Sequence, residues 1–126
     1  MVKAVQRVTE HLRLEKAIGM ALLSDFYGAL LTEKQRQALR LFYEEDYSLS
    51  EIAAECSCSR QAAQDIIKRS EALLLEYEQK LGLVAKHRER QSLLRQAESE
   101  LAVLGFDRER HNEGAFWHIW QRIIEE

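Results

Sequence analysis

Arg60, Gln61 and Gln64, with Asp65 beside them, follow directly on Ser59, a residue suited to capping the start of a helix. At helical spacing they point outward from the first two turns. An arginine fork matches the two acceptors on the major-groove edge of guanine, and a glutamine amide matches the donor and acceptor of adenine, so these residues suit base reading in duplex DNA. Lys68 and Arg69 lie farther along, placed for phosphate, and Arg36 and Arg40 on the preceding helix extend the same surface. Outward Arg, Gln and Lys equally fit an ordinary solvated helix, and Asp65 repels phosphate. The cations are few, and affinity for nucleic acid rises with the number of phosphates neutralised.

A second basic group lies at Lys86, Arg88 and Arg90. The formal net charge of -3 conceals it. Residues 80–96 hold five bases against the single acid Glu89, whereas residues 97–126 hold seven acids against three bases. Two solvated helix faces that neutralise each other would show this pattern, as would a contact surface for RNA phosphate or for a protein.

Chemistry of other kinds finds little support. There is no glycine-rich phosphate loop, no His-Glu-x-x-His, and no local Ser, His and carboxylate signature. His11, His87, His111 and His118 are scattered among polar residues and read as surface side chains. Cys56 and Cys58 are too close in sequence for an easy mutual disulfide and lack the second ligand pair that zinc requires. The expectation is a protein without catalysis, metal, cofactor or small-molecule substrate. Reduced thiols, together with the lack of a long apolar run in Met1 to Glu10, predict a cytoplasmic location and no membrane association.

These residues need helices to position them. Among 126 residues there is no Pro and only five Gly, where average usage predicts roughly six and nine. Too few turn-formers remain for a hairpin-rich sheet, so the expected class is all-α. A content of 46% hydrophobic and 31% charged residues fits a globular chain. Apolar spacing predicts a helix over residues 2–20, weakened at Gly19, then a more strongly apolar stretch from Ala21 to Leu31. Thr32 with Gln35 and Ser48 with Glu51 each match the reciprocal capping pattern of a helix start. The second opens a short helix through Glu55. Cys56-Ser57-Cys58 then forms a turn whose cysteines act as small apolar plugs, and Ser59 caps a helix that meets no breaker before Gly82. Its inward positions are Ala62, Ala63, Ile66 and Ile67, followed by Leu73, Leu74, Tyr77 and Leu81. The pattern resumes to Gly105, and Phe116, Ile119, Trp120 and Ile123 mark a final helix, for seven or so in all. That last stripe is too apolar for water and must pack on its own chain or on a second copy.

A short helix, a three-residue turn and a capped helix with an outward polar face make a helix-turn-helix over residues 49–68. Asp25-Phe26-Tyr27, Leu30-Leu31-Thr32-Glu33-Lys34-Gln35-Arg36, Tyr47-Ser48-Leu49-Ser50-Glu51-Ile52-Ala53, Ser59-Arg60-Gln61-Ala62 and Ile67-Lys68-Arg69 follow in order. Together they resemble the YlxM-type family of bacterial helix-turn-helix proteins, itself similar to the promoter-reading C-terminal domain of sigma factors. The resemblance covers about Leu23 to Leu104. It implies an all-helical fold, no catalysis, and a link to the signal recognition particle pathway. The residues leave as partners either DNA or the RNA or protein of that particle. Ser57 departs from the pattern, standing where a sigma-like turn usually has Gly, and so does the segment from Phe106 onward. The expected organisation is one helical domain over 1–126, with a sigma-like core at 23–80, a helical extension at 83–126, and a homodimer as the assembly.

Overall fold

The computed structural model describes residues 2–106 and 114–125 of the chain. The side chains of Val5, Val8, His11, Leu12 and Leu14 lie outside the described residues, as do Asp107 to Glu113 of the acidic segment, His111 among them, and Glu126. Among the described residues there are six α-helices, one 3-10 turn and no strand. The all-α class is therefore correct.

Helix α1 (Val2–Tyr27) passes through Gly19 without a break, contrary to the weakening expected there. An interior glycine costs a helix only about 1 kcal/mol against alanine. Met20, Leu23 and Tyr27, at i, i+3 and i+7, hold the following turns against the core. A 3-10 turn (Gly28–Leu30) and the buried Leu31 lead into α2 (Glu33–Tyr43). Its start is set by the expected exchange: the Thr32 hydroxyl accepts from the Gln35 N–H at 3.2 Å, and the Gln35 amide oxygen accepts from the Thr32 N–H at 3.0 Å. Ala38, Leu39 and Leu41 form its buried face.

Helix α3 (Leu49–Glu55) begins where the Ser48 hydroxyl accepts from the Glu51 N–H. Helix α4 (Arg60–Leu81) begins where the Ser59 hydroxyl accepts from the Ala62 N–H. It is the central element, packing on α1, α2 and α3 through Ala63, Ile67, Ser70 and Leu74. The buried Ser70 hydroxyl is satisfied by donating to the Ile66 carbonyl at 2.6 Å. Leu81, expected on the inner face, is half exposed, because Gly82 turns the chain immediately after it with φ +63. That conformation is open to glycine without the penalty a Cβ would bring.

Helix α5 (Leu83–Val103) follows at once, and α6 (Ala115–Glu125) closes the described chain. By compactness the chain divides into two units, Met1–Val84 and Ala85–Glu126. In the second unit the Gln91 side-chain amide donates to the Ile124 carbonyl at 3.1 Å, tying α6 to α5. Trp117, at 5% exposure, is the buried aromatic of α6. The expected stripe behaves differently: Trp120 is half-buried, whereas Phe116, Ile119 and Ile123 are exposed. Helix α6 is apolar over more than half its circumference, and the side centred on Trp117 is the one covered.

Candidate nucleic-acid interface

The helix-turn-helix is built around a very small core. Ile52 and Ala53 of α3 meet Ala63 and Ile67 of α4, all buried, and the small alanines leave room for the close approach of the two helices. Cys56 and Cys58 are half-buried and packed against this core, as plugs at either side of the turn. The turn closes by three backbone bonds, Cys56 N–H to the Ile52 carbonyl at 2.8 Å, Ser57 N–H to the Ala54 carbonyl at 3.4 Å and Cys58 N–H to the Ala53 carbonyl at 3.0 Å. Between the two cysteines Ser57 sits at φ +52, the left-handed conformation in which a non-glycine residue is strained by about 1 kcal/mol. Burial, then the neighbouring Cys58, pushes the Cys56 thiol up, with Lys34 opposing in part. The group is thus held as a thiol and not as a reactive thiolate.

Because Ala63, Ile67, Ser70 and Leu74 anchor one side of α4, the opposite side is free. Gln61, Asp65, Lys68 and Arg69 lie there, all exposed. Arg60 is exposed at the very first position of the helix, flanking that face. Gln64 is half-buried, closer to the packed side than its neighbours. The Gln61 amide nitrogen donates to Asp65 Oδ1 at 3.2 Å, so the two side chains act as a pair across one turn.

Arg36 and Arg40 of α2 are already engaged. Arg36 donates to Glu33 at 2.7 Å within the first turn of α2, and Arg40 stands 3.8 Å from Glu45. Both pairs are exposed and weak, so a phosphate can displace either carboxylate. Lys86, Arg88 and Arg90 are exposed on α5, within the second unit. The six residues Arg60, Gln61, Gln64, Asp65, Lys68 and Arg69 are thus gathered on one element, while Arg36 belongs to α2.

Two polar contacts behind this surface are not evident from sequence spacing. The Tyr27 hydroxyl donates to Glu78 Oε2 at 2.6 Å, and the Tyr43 hydroxyl donates to Glu71 Oε1. Glu71 also lies 3.9 Å from the Lys16 ammonium. The two carboxylates are seven residues apart on α4, hence on one side of it, and they receive α1 and α2 respectively. A tyrosine inside an apolar run needs a partner for its hydroxyl, which is the one sequence signal pointing to such contacts. Burial first, then the hydrogen bond from each to its glutamate, pushes both tyrosines above their ordinary range.

Among the described residues no group of three or more His, Cys, Asp or Glu is placed to hold a metal ion, and no helix is long and apolar enough to cross a membrane.

Comparison with known proteins agrees with this architecture. Residues 14–112 match the family described as "UPF0122: Putative helix-turn-helix protein, YlxM / p13 like". A UPF0122 protein of Halalkalibacterium halodurans is 54% identical over 83 residues, covering 66% of this chain and 76% of that protein. One from Symbiobacterium thermophilum is 54% identical over 82 residues, covering 65% and 77%. One from Geobacillus kaustophilus is 46% identical over 101 residues, covering 72% and 92%. The helix-turn-helix lies wholly within the matched span, and α6 lies beyond it. This chain belongs to the YlxM / p13-like UPF0122 family of helix-turn-helix proteins.

Proposed function

We propose that this protein is a non-catalytic regulatory protein of the cytoplasm that contacts DNA through the start of α4. The observation that carries the reading is the succession of a base-reading group and a phosphate group among the exposed residues of one helix. Arg60 and Gln61 project from its first turn, and Lys68 and Arg69 follow two turns on. With helix α3 bracing the turn from behind, this is the arrangement in which a recognition helix enters the major groove end-first. Gln64 and Arg36 sit at the margins of the contact. With few cations on this face and a net charge of -3, binding is weak and best seen at low ionic strength. The test is a titration of duplex DNA at several salt concentrations. Arg60→Ala combined with Gln64→Ala is expected to weaken binding, and Lys68→Ala to lower the salt slope by about one. No binding by the unaltered protein at low salt sinks the reading.

A second reading rests on the exposed Lys86, Arg88 and Arg90 of α5. In it the protein docks on the signal recognition particle, by its RNA or its GTPase, and alters the GTPase rate without reading a DNA sequence. Neutralising those three residues then weakens particle association, whereas Arg60→Ala with Gln61→Ala leaves it unchanged.

The active species in either reading is a homodimer joined through α6. Phe116, Ile119 and Ile123 form an exposed ridge on α6, in a unit too small to bury every apolar side that its described helices carry. Pairing the ridge with its own copy about a two-fold axis covers it with a surface of the same chemistry.

A further inference from the structure

We infer that Asp65 is a specificity-determining residue of α4, which orients the Gln61 amide so that the pair selects adenine. The inference rests on the DNA-binding reading above and deepens it. An ionised carboxylate only accepts hydrogen bonds, so the 3.2 Å contact at Asp65 Oδ1 must be made by the amide nitrogen of Gln61. That removes the ambiguity of a free glutamine, whose amide can turn either way. Nitrogen is held toward Asp65, and the carbonyl oxygen is left pointing away from it. The nitrogen carries two hydrogens, of which Asp65 takes one.

Adenine is the base whose major-groove edge answers both remaining groups. Its N6 donates to the free carbonyl oxygen, and its N7 accepts the second amide hydrogen. Guanine offers two acceptors there and thymine an acceptor with a methyl group, so the Asp65 carboxylate repels both edges. Cytosine offers a donor but no acceptor for the amide hydrogen. Both residues are exposed on the free side of α4, one turn apart, so neither needs to leave its place to meet a base. The carboxylate also opposes phosphate nearby, which weakens binding to every duplex alike.

The test selects from a pool of random-sequence duplexes with the full chain and three variants. The unaltered protein is expected to enrich adenine at one position, and Gln61→Ala to lose that preference. Asp65→Ala is expected to reduce it by up to about tenfold, the cost of ordering a Gln61 side chain that is no longer held in place. Asp65→Asn removes the charge but keeps an oxygen to accept from Gln61, so it retains the adenine preference while binding all duplexes more tightly. This variant separates orientation from charge. Because Asp65 is exposed, helicity and thermal midpoint of the variants are expected to match the parent. Adenine enrichment by Asp65→Ala equal to that of the parent overturns the inference. Salt-dependent binding without sequence preference overturns it while leaving the DNA reading intact, and no binding at low salt overturns both.

Discussion

The hydroxyl of Tyr27 and Oε2 of Glu78 stand 2.6 Å apart, and each of these oxygens also accepts a backbone N–H from the first turn of α5: Leu83 to Tyr27 at 3.1 Å and Val84 to Glu78 at 3.1 Å. The first N–H groups of any helix have no partner within it. Here they are met by side chains from the end of α1 and the last turn of α4. The junction at Gly82 is thereby fixed from two sides, with Tyr27 only 1% exposed.

Tyr27→Phe removes the shared hydroxyl and leaves both the Leu83 N–H and the Glu78 carboxylate short of a partner. A thermal midpoint lower by on the order of 5 °C is expected, from the cost of an unmet buried group in a domain of this size. Faster amide exchange at Leu83 and Val84, with Ala62 and Ala63 unchanged, would locate the damage. Exchange that rises evenly along α4 and α5 would refute the local role.

Alkaline pH acts on the same contacts with a definite sign. Tyr27 and Tyr43 hold their protons above the ordinary tyrosine value of about 10 in the folded protein. The unfolded chain loses those protons first, so it binds fewer protons than the folded one above that pH. Stability is therefore complete below about pH 10 and falls as pH rises beyond it. Lys80, held up by its pair with Glu76, acts in the same direction. The check is the thermal midpoint against pH, together with tyrosinate absorbance. Two of the four tyrosines should ionise only as the protein unfolds, and Tyr43→Phe should make the alkaline fall shallower. Ionisation of all four before unfolding would contradict this.

Two positive-φ positions predict opposite outcomes. Ser57 at φ +52 carries strain that glycine would relieve, so Ser57→Gly is expected to stabilise by up to about 1 kcal/mol. At Gly82, φ +63, a Cβ would meet no atom within 4 Å, so Gly82→Ala imposes backbone strain alone and destabilises by about 1 kcal/mol or more. Denaturant midpoints of the two variants would move in opposite directions. A shift of Ser57→Gly in the same direction as Gly82→Ala would mean that the turn is not strained.

What the sequence reveals follows the range of the interaction that fixes each feature. Thr32, Ser48 and Ser59 mark their helix starts because a capping hydroxyl and the N–H it serves are three residues apart. Cys56 and Cys58 are legible as plugs for the same reason. The bond between Tyr27 and Glu78 spans fifty-one residues, and no periodicity reports it. Gly19 misleads because its local cost is smaller than the packing of Met20, Leu23 and Tyr27 around it. For Gln61 and Asp65 the one-turn spacing is visible in the sequence. The direction of the amide is not, since it depends on which atoms meet.

Helix α6 shows the limit of periodicity most directly, and it carries the last prediction. Phe116, Ile119 and Ile123 make one apolar stripe and Trp117, Trp120 and Ile124 another, and spacing alone cannot say which faces the chain. The fold covers Trp117 and leaves the first stripe outside. Trp117→Ala should therefore impair folding of the second unit, whereas Ile119→Glu should leave helicity intact and act on association. Burying a large aliphatic side chain is worth about 1.5–3 kcal/mol, and a two-fold interface contains two copies of Ile119. Losing both weakens the dimer by at least about a hundredfold. Sedimentation over a range of concentrations should find a dimer for the parent and for Arg60→Ala, and a monomer for Ile119→Glu. A parent that stays monomeric throughout would sink the dimer.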